Sequence, residues 1–174
     1  NILIDSFLDY VSLEKKYSLH TSLAYKNDLI SFRDFLITEY NQEELVAVNY
    51  GQIRNWIVSL VDSDISNRTI NRKVSSLKSF YKFLQKSEQI KVNPLSKHKA
   101  LKVAKKVQVP FTSKEINSVI DIVSEKNDFI SVRNKLIVEL FYSTGIRRIE
   151  LINIKERNIS FSENTIKVLG KRNK

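Results

Sequence analysis

The stretch SNRTINRKVSSLKSFYKFLQK, residues 66–86, contains the clearest periodic pattern in the chain. Its apolar side chains recur at spacings of four and three residues, which is typical of one buried face of an α-helix. They are Ile70, Val74, Leu77, Tyr81 and Leu84. Ser66 precedes the pattern and is a candidate N-cap. The stretch therefore predicts an amphipathic helix that packs one face against a core.

The other face of this predicted helix is rich in cations and hydroxyls. Its members follow one another at spacings of 4-3-4-3-4, and they are Arg68, Arg72, Ser75, Ser79, Lys82 and Lys86. Such a row suits a helix beside a DNA groove, with side chains on phosphates and base edges. The alternative is an ordinary solvated polar face. The charge of the chain favours the DNA interpretation.

Helical spacing also dominates the sequence on both sides of this stretch. Apolar residues recur at helix spacing from Ile4 to Val11, from residue 21 to Tyr40 and again around Trp56. Together with residues 66–86 these segments predict an N-terminal four-helix bundle. The second helix has a weaker version of the basic row, in Thr21, Lys26 and Arg33.

A change of composition separates this bundle from the C-terminal part of the chain. From residue 93 to residue 110 the apolar periodicity fades and lysines are frequent, which is typical of a linker. We expect a DNA-binding helical domain over residues 1–92, a linker over 93–110 and a second, incomplete domain over 111–174. Lys102, Lys105 and Lys106 are the linker residues predicted to lie along a phosphate backbone.

The second domain is predicted to be mixed α and β. Thr112 and Glu115 form a capping-box signature, and Gly145 is a candidate helix stop. The helices here are predicted to bury Ile116, Val119, Ile120 and Val123, then Leu136, Ile137, Leu140 and Phe141, and then Ile149, Leu151 and Ile152. Beyond residue 158 the period changes to two around a turn at residues 162–164, which predicts a small β-hairpin.

The overall composition narrows the classes of function. The 174 residues carry 29 Lys and Arg against 19 Asp and Glu, a net charge of +10, which favours nucleic acid first and an anionic membrane second. Cysteine is absent and the two histidines are isolated, so no disulfide and no metal site is expected. No apolar run approaches the roughly 20 residues that span a bilayer. We expect a cytoplasmic, nucleoid-associated protein of bacterial type.

Two short motifs near the end carry a family resemblance. Residues 144–151 read TGIRRIEL, and Lys171 follows Arg147 by 171 − 147 = 24 positions. The pair resembles the first half of the active site of the tyrosine recombinases, the Xer and phage-integrase family. Residues 71–84 are similar to the fourth helix of that family's core-binding domain, and Arg133 to Arg147 are similar to its catalytic domain.

The resemblance implies a fold and a chemistry. It implies a SAM-like core-binding bundle followed by the start of the mixed α+β catalytic domain. Arg147 would bind the scissile phosphate, Lys171 would be the general acid, and a tyrosine would form a 3′-phosphotyrosyl link without metal or cofactor. The arginine fork suits a phosphate because it stays charged and binds bidentately. Arg148, where the family usually has a small apolar residue, would reinforce phosphate binding or face solvent, and Arg172 replaces the second hairpin glycine.

The family's later motifs do not occur in these residues. Neither histidine begins an H-x-x-R motif, and all seven tyrosines precede Arg147. We therefore expect this chain to bind double-stranded DNA without cleaving it and to be a monomer in solution, whereas a full-length parent would be a tetramer on two sites. Two alternatives stay open: a non-catalytic DNA-binding remnant or accessory factor of a mobile element, and a basic helical protein that binds RNA or another protein.

Overall fold

The computed structural model describes residues 2–105, 107–124, 126 and 128–170. It divides the chain into two compact units, Asn1–Lys105 and Lys106–Lys174. The expected class is confirmed: the chain is mainly helical and has one small antiparallel sheet. Among the described residues no helix is long and apolar enough to cross a membrane.

The first unit is the predicted helical bundle. Its helices are α1 (Ile2–Asp9), α2 (Leu19–Tyr40), α3 (Tyr50–Asp62) and α4 (Asn67–Lys86), with a single π-helical turn at Tyr10–Glu14 directly after α1. α2 begins two residues before the predicted start because Ser18 is its N-cap and accepts a hydrogen bond from the Thr21 N–H. Ser66 caps α4 in the same way, as predicted.

The core of the first unit lies between these helices. All five apolar residues of the α4 stripe are buried, which confirms the periodicity, and Phe80 joins them. Aromatic rings fill much of the interior, with the Phe32 and Trp56 centroids 5.0 Å apart. Tyr81 is fully buried, and its hydroxyl donates to the Leu45 carbonyl over 3.1 Å. Burial raises the pKa of Tyr81 well above its ordinary value, so the phenol stays a neutral donor.

The start of the segment predicted as a linker is packed against the first unit. The Leu95 side chain is completely buried in the core. The Asn71 side chain donates to the Leu101 carbonyl and accepts from the Leu101 N–H, both over 2.9 Å. Asn67 donates to the Lys102 carbonyl over 2.9 Å. Residues 93–102 are therefore held against the bundle.

The second unit contains α5 (Ser113–Val123), α6 (Phe129–Thr144) and α7 (Arg148–Ile152). A 3₁₀ turn at Glu156–Asn158 leads into strands β1 (Ile159–Ser160) and β2 (Thr165–Ile166), which pair antiparallel with Ile159 opposite Ile166. The capping box at Thr112 and Glu115 forms as predicted. Gly145 ends α6 with a φ of 65°, the left-handed conformation that glycine adopts without strain.

The burial predicted for this unit is wrong. Val119, Ile149 and Ile152 are 44%, 58% and 63% exposed, and Leu136 is 53% exposed. Ile116, Ile120, Val123, Ile137, Leu140 and Leu151 are only partly buried, and Phe141 is exposed. α5 and α6 pack against each other. Among the described residues of this unit no second layer covers their remaining faces, and an apolar stripe is buried only where another element packs on it.

The hairpin is also shorter than its sequence pattern suggested. Phe161 lies in the turn and is 83% exposed, and Val168 follows β2 rather than belonging to it. Asn164 closes the turn with a φ of 52°, a left-handed conformation that asparagine tolerates better than most residues.

Candidate nucleic-acid interface

The solvent face of α4 carries the predicted basic row. Arg68, Arg72, Ser75, Lys82 and Lys86 are exposed, and Ser79 is partly buried. Because the opposite face is buried, the row is held on one side of a rigid helix. The Ser75 and Ser79 hydroxyls donate to the carbonyls four residues earlier, over 2.8 and 3.0 Å, so they can accept hydrogen bonds but do not donate freely.

A buried carboxylate fixes one member of this row. Asp28 on α2 is 2% exposed and accepts hydrogen bonds from Arg72 Nη1 at 2.5 Å and Arg72 Nη2 at 3.0 Å. It also accepts from Ser76 Oγ at 2.7 Å and Lys73 Nζ at 3.4 Å. The Arg72 side chain remains 51% exposed. Arg72 is therefore a partner of Asp28 in this structure, and its guanidinium has a fixed orientation at the surface.

Sequence reasoning missed Asp28 and Lys73. An aspartate in the middle of an amphipathic helix is normally assigned to solvent, and its burial depends on three donors that are 44 to 48 residues away along the chain. One feature of the sequence could have indicated its burial: Asp28 directly precedes Leu29, a buried residue of the apolar stripe of α2. Polar groups buried in this way are normally hydrogen-bonded, as this one is.

The two predicted residues of α2 differ in their surroundings. Thr21 lies in the first turn, where its hydroxyl is 2.9 Å from the Ser18 hydroxyl and belongs to the helix cap. Lys26 is exposed and makes no ion pair with any described carboxylate. α2 packs directly against α4 in the bundle.

The structure describes two of the three lysines that were predicted to contact DNA after the bundle. Lys102 and Lys105 are exposed, and the backbone of Lys102 is held by Asn67 at the start of α4. Lys102 therefore belongs to the same unit as the basic row. Lys106 lies outside the described residues.

In the second unit, the turn after α6 presents the predicted catalytic arginine. Arg147 is the N-cap of α7, and its side chain is 68% exposed. Its Nη1 donates to Glu150 Oε1 over 2.7 Å and its backbone N–H donates to Glu150 Oε2 over 2.9 Å. These bonds, first that of the backbone N–H and then that of the side chain, lower the pKa of the buried Glu150 carboxyl. The carboxylate thus holds one edge of the guanidinium, and the exposed remainder is free to bind an anion.

The hairpin lies beside this turn. A cavity of about 350 Å³ is lined by Gly145 and Glu150 from the turn and helix and by Ile166 and Val168 from the hairpin. Lys171, the predicted general acid, lies outside the described residues, and Arg148 is exposed at the first position of α7. Among the described residues no group of three or more His, Cys, Asp or Glu side chains could hold a metal ion.

Comparison with known families assigns both parts of the chain. Residues 4–88 match the family model described as the phage integrase N-terminal SAM-like domain. Residues 109–174 match the model described as the phage integrase family. The two matches follow one another along the chain and leave only residues 89–108 between them unassigned.

Individual relatives agree with this assignment. The tyrosine recombinase XerC of Listeria innocua serovar 6a is 37% identical over an alignment of 172 residues that covers 97% of this chain and 56% of the relative. The XerC of Anoxybacillus flavithermus is 36% identical over 174 residues, 100% of this chain and 57% of the relative. The chain thus spans somewhat more than half the length of these relatives.

A solved structure supports the fold alone. The integrase from mycobacterium phage Brujita superposes with a TM-score of 0.53 at 19% identity, over 98% of this chain and 55% of that one. Both family models and the XerC relatives lead to one conclusion: the chain belongs to the phage integrase family, the tyrosine recombinases.

Proposed function

We propose that this chain is the DNA-binding portion of a site-specific tyrosine recombinase. Residues 1–92 would form its core-binding domain, residues 93–110 a linker, and residues 111–174 the first part of its catalytic domain. The observation that carries the proposal is the exposed row of cations and hydroxyls on α4, in a chain that matches the two family models in order. The full protein would cleave and rejoin DNA through a 3′-phosphotyrosyl intermediate.

The first unit would supply most of the affinity for DNA. Exposed lysines and arginines neutralise phosphates and release counterions, and this term makes binding depend steeply on salt. The proposed contacts are Thr21, Lys26, Arg68, Arg72, Ser75, Ser79, Lys82, Lys86, Lys102, Lys105 and Lys106. Arg72 differs from the others because Asp28 already satisfies its donors in part. We expect it to contribute orientation rather than a full phosphate contact.

The second unit would supply part of the active site. Arg147 would bind the scissile phosphate through the guanidinium edge that Glu150 leaves free, and Arg148 would add positive charge at the start of α7. Fixed donors of this kind stabilise the charge that develops on non-bridging oxygens as the phosphodiester is cleaved. Lys171 would protonate the leaving 5′ oxygen, a role suited to an amine beside other cations, whose pKa can fall.

The 174 residues are proposed to bind DNA without cutting it. Each of the seven tyrosines precedes Arg147, whereas the nucleophile of the family follows the hairpin. The tetramer implied for the family is a proposal for the protein that contains this chain, and a monomer is the proposal for the 174 residues alone. Sedimentation of the free chain distinguishes these states.

The test combines a binding assay with a search for covalent adducts. Fluorescence anisotropy on a 30-base-pair duplex, titrated at several salt concentrations, should give an affinity that falls steeply with salt. Arg68→Ala with Lys82→Ala should flatten that slope by about 2, whereas Lys91→Ala, an exposed lysine off the row, should leave it unchanged. A flat dependence on salt in the wild-type chain would refute DNA binding. A protein–DNA adduct that survives denaturing electrophoresis would refute the proposed inactivity.

A further inference from the structure

A groove in the first unit lies at the end of α4 and is lined by more than the predicted row. It has a volume of about 640 Å³ and runs between the π-helical turn, the start of α2 and the last two turns of α4. We call it the Tyr10 groove. Ser79, Lys82 and Lys86 of the α4 row line one side, and Tyr10, Lys15 and Tyr17 line the other. The groove is therefore continuous with the proposed DNA-binding face.

The π-helical turn creates the second side of this groove. The Lys15 N–H donates to the Tyr10 carbonyl over 3.1 Å, a bond that spans five residues instead of four. Turns of this kind are rare and occur frequently at functional sites. The wider turn places Lys15 over the ring five residues earlier, with its Nζ 5.5 Å from the Tyr10 centroid. In a regular α-helix, positions i and i+5 do not face each other.

A second lysine reaches the same ring from α4. Lys86 Nζ lies 5.3 Å from the Tyr10 centroid, so the two ammonium groups are at most 5.5 + 5.3 = 10.8 Å apart. This upper limit is close to the Debye length at 0.1 M salt, about 10 Å, so salt screens the repulsion between the two charges only in part. Lys82 lies one helical turn before Lys86 and lines the groove as well. None of the three lysines forms an ion pair with a carboxylate among the described residues.

Like charges that line one groove without a counter-charge favour the binding of an anion there. The Tyr10 ring faces two cations and packs against Phe83 at 5.1 Å, so it positions ammonium groups and leaves little surface for a stacked base. Ser79, Lys82 and Lys86 of the α4 row line this groove, and the proposed function places that row on DNA. A phosphate of the same duplex is thus the anion that these lysines would meet.

We propose that the Tyr10 groove binds a backbone phosphate of the DNA duplex at the C-terminal end of α4, and that the π-helical turn supplies Lys15 as a DNA contact. This inference rests on the proposed function, because it requires that α4 lie on DNA. It adds a contact from outside the predicted row, together with the local distortion of the helix that positions it.

The experiment measures how the affinity of the 174-residue chain for a 30-base-pair duplex depends on salt. Each phosphate contact contributes about 0.9 to the slope of log affinity against log salt. Lys15→Ala should therefore lower the magnitude of the slope by about 0.9 and Lys15→Arg should preserve it. The matched control is Lys91→Ala, an exposed lysine that follows α4 and does not line the groove. Circular dichroism and thermal melting confirm that each variant keeps the fold.

The outcomes separate this inference from the proposed function. A wild-type chain without a steep salt dependence would overturn the proposed function and this inference with it. A steep slope that falls with Arg68→Ala but is the same for Lys15→Ala and Lys91→Ala would overturn this inference alone. If Lys15→Ala leaves the slope unchanged while inorganic phosphate still shifts the NMR signals of Tyr10 and Lys15 in the wild type, the groove binds a small phosphate compound and the DNA assignment is wrong.

Discussion

Replacing Asp28 by asparagine should destabilise the first unit selectively and strongly. The carboxylate accepts from Arg72, Lys73 and Ser76, and asparagine would turn one of its acceptors into a donor that faces other donors. Breaking a buried ion pair by removing one partner costs about 3–5 kcal/mol. After the change Ser76 stays buried and the Lys73 side chain stays only 16% exposed, whereas the Arg72 side chain, 51% exposed, can return to water. We therefore expect the free energy of unfolding to fall by about 3 kcal/mol, near the lower end of that range.

Urea unfolding followed by tryptophan fluorescence measures this loss directly. Trp56 is the only tryptophan of the chain, and it is buried in the first unit, so the signal reports that unit. With a urea m value of about 1.5 kcal/mol/M, a loss of about 3 kcal/mol lowers the midpoint by about 2 M. A double-mutant cycle of Asp28→Ala with Arg72→Ala should show a coupling energy of about 1–2 kcal/mol.

The matched control lies on the same helix. Asp34 pairs with Arg33 at 2.8 Å, but its side chain is 56% exposed, and exposed pairs contribute little. Asp34→Asn should therefore change the stability by less than about 0.5 kcal/mol. If Asp28→Asn and Asp34→Asn shift the midpoint equally little, the four hydrogen bonds to Asp28 do not hold α2 to α4 and the reasoning is refuted.

Three further predictions concern pH, the packed linker and a helix end. Burial, and secondly the charge of Lys78, lower the pKa of His98 below 6.5, so the folded unit binds a proton less readily than the unfolded chain. The stability of the unit should be highest above pH 6.5 and should fall as the pH drops through the lowered pKa. In His98→Gln the urea midpoints measured at pH 8 and at pH 5 should lie closer together than they do in the wild type. An equal loss of stability in that variant would contradict the assignment to His98. Asn71→Ala removes both hydrogen bonds to Leu101 and should lower the free energy of unfolding by about 1–3 kcal/mol. Hydrogen exchange of the Leu101 amide should become faster. Unchanged protection of that amide would show that other contacts hold the segment. Gly145→Ala should destabilise the second unit by about 1–2 kcal/mol, because alanine resists a φ of 65°. Circular dichroism on heating measures this loss. Since nothing lies within 4 Å of the added carbon, a larger loss would point to an unrecognised contact.

The features that depend on local spacing were predictable from the sequence. The stripe and N-cap of α4, the capping box at Thr112 and the glycine stop at Gly145 are set by neighbours within a few residues, and the structure confirms all three. The family was recognisable for a similar reason, since its motifs are short and ordered along the chain. The placement of Arg147 at an exposed helix start follows from the same local signals.

Features that depend on distant partners were not predictable. The burial of Asp28 requires donors from another helix, and the π-helical turn at Tyr10 has no composition that marks it in advance. Apolar periodicity in α5 and α6 indicates a face that can be buried, but only the layer packed on it decides how much is covered. The predictions for Val119 and Ile152 therefore failed although the helices themselves were predicted correctly.

The packing of residues 93–102 decides where the chain can be cut to obtain the first unit alone. A fragment that stops at residue 92 would leave a cavity in the core where the Leu95 side chain is completely buried, and Asn71 would lose both its hydrogen bonds to Leu101. Losing a buried leucine side chain costs about 2–5 kcal/mol, a large share of the roughly 5–15 kcal/mol that holds a domain folded. A stop codon after Lys105, the last residue of the first unit, retains every one of these contacts, so it defines the fragment we would express for crystals or spectra of the bundle.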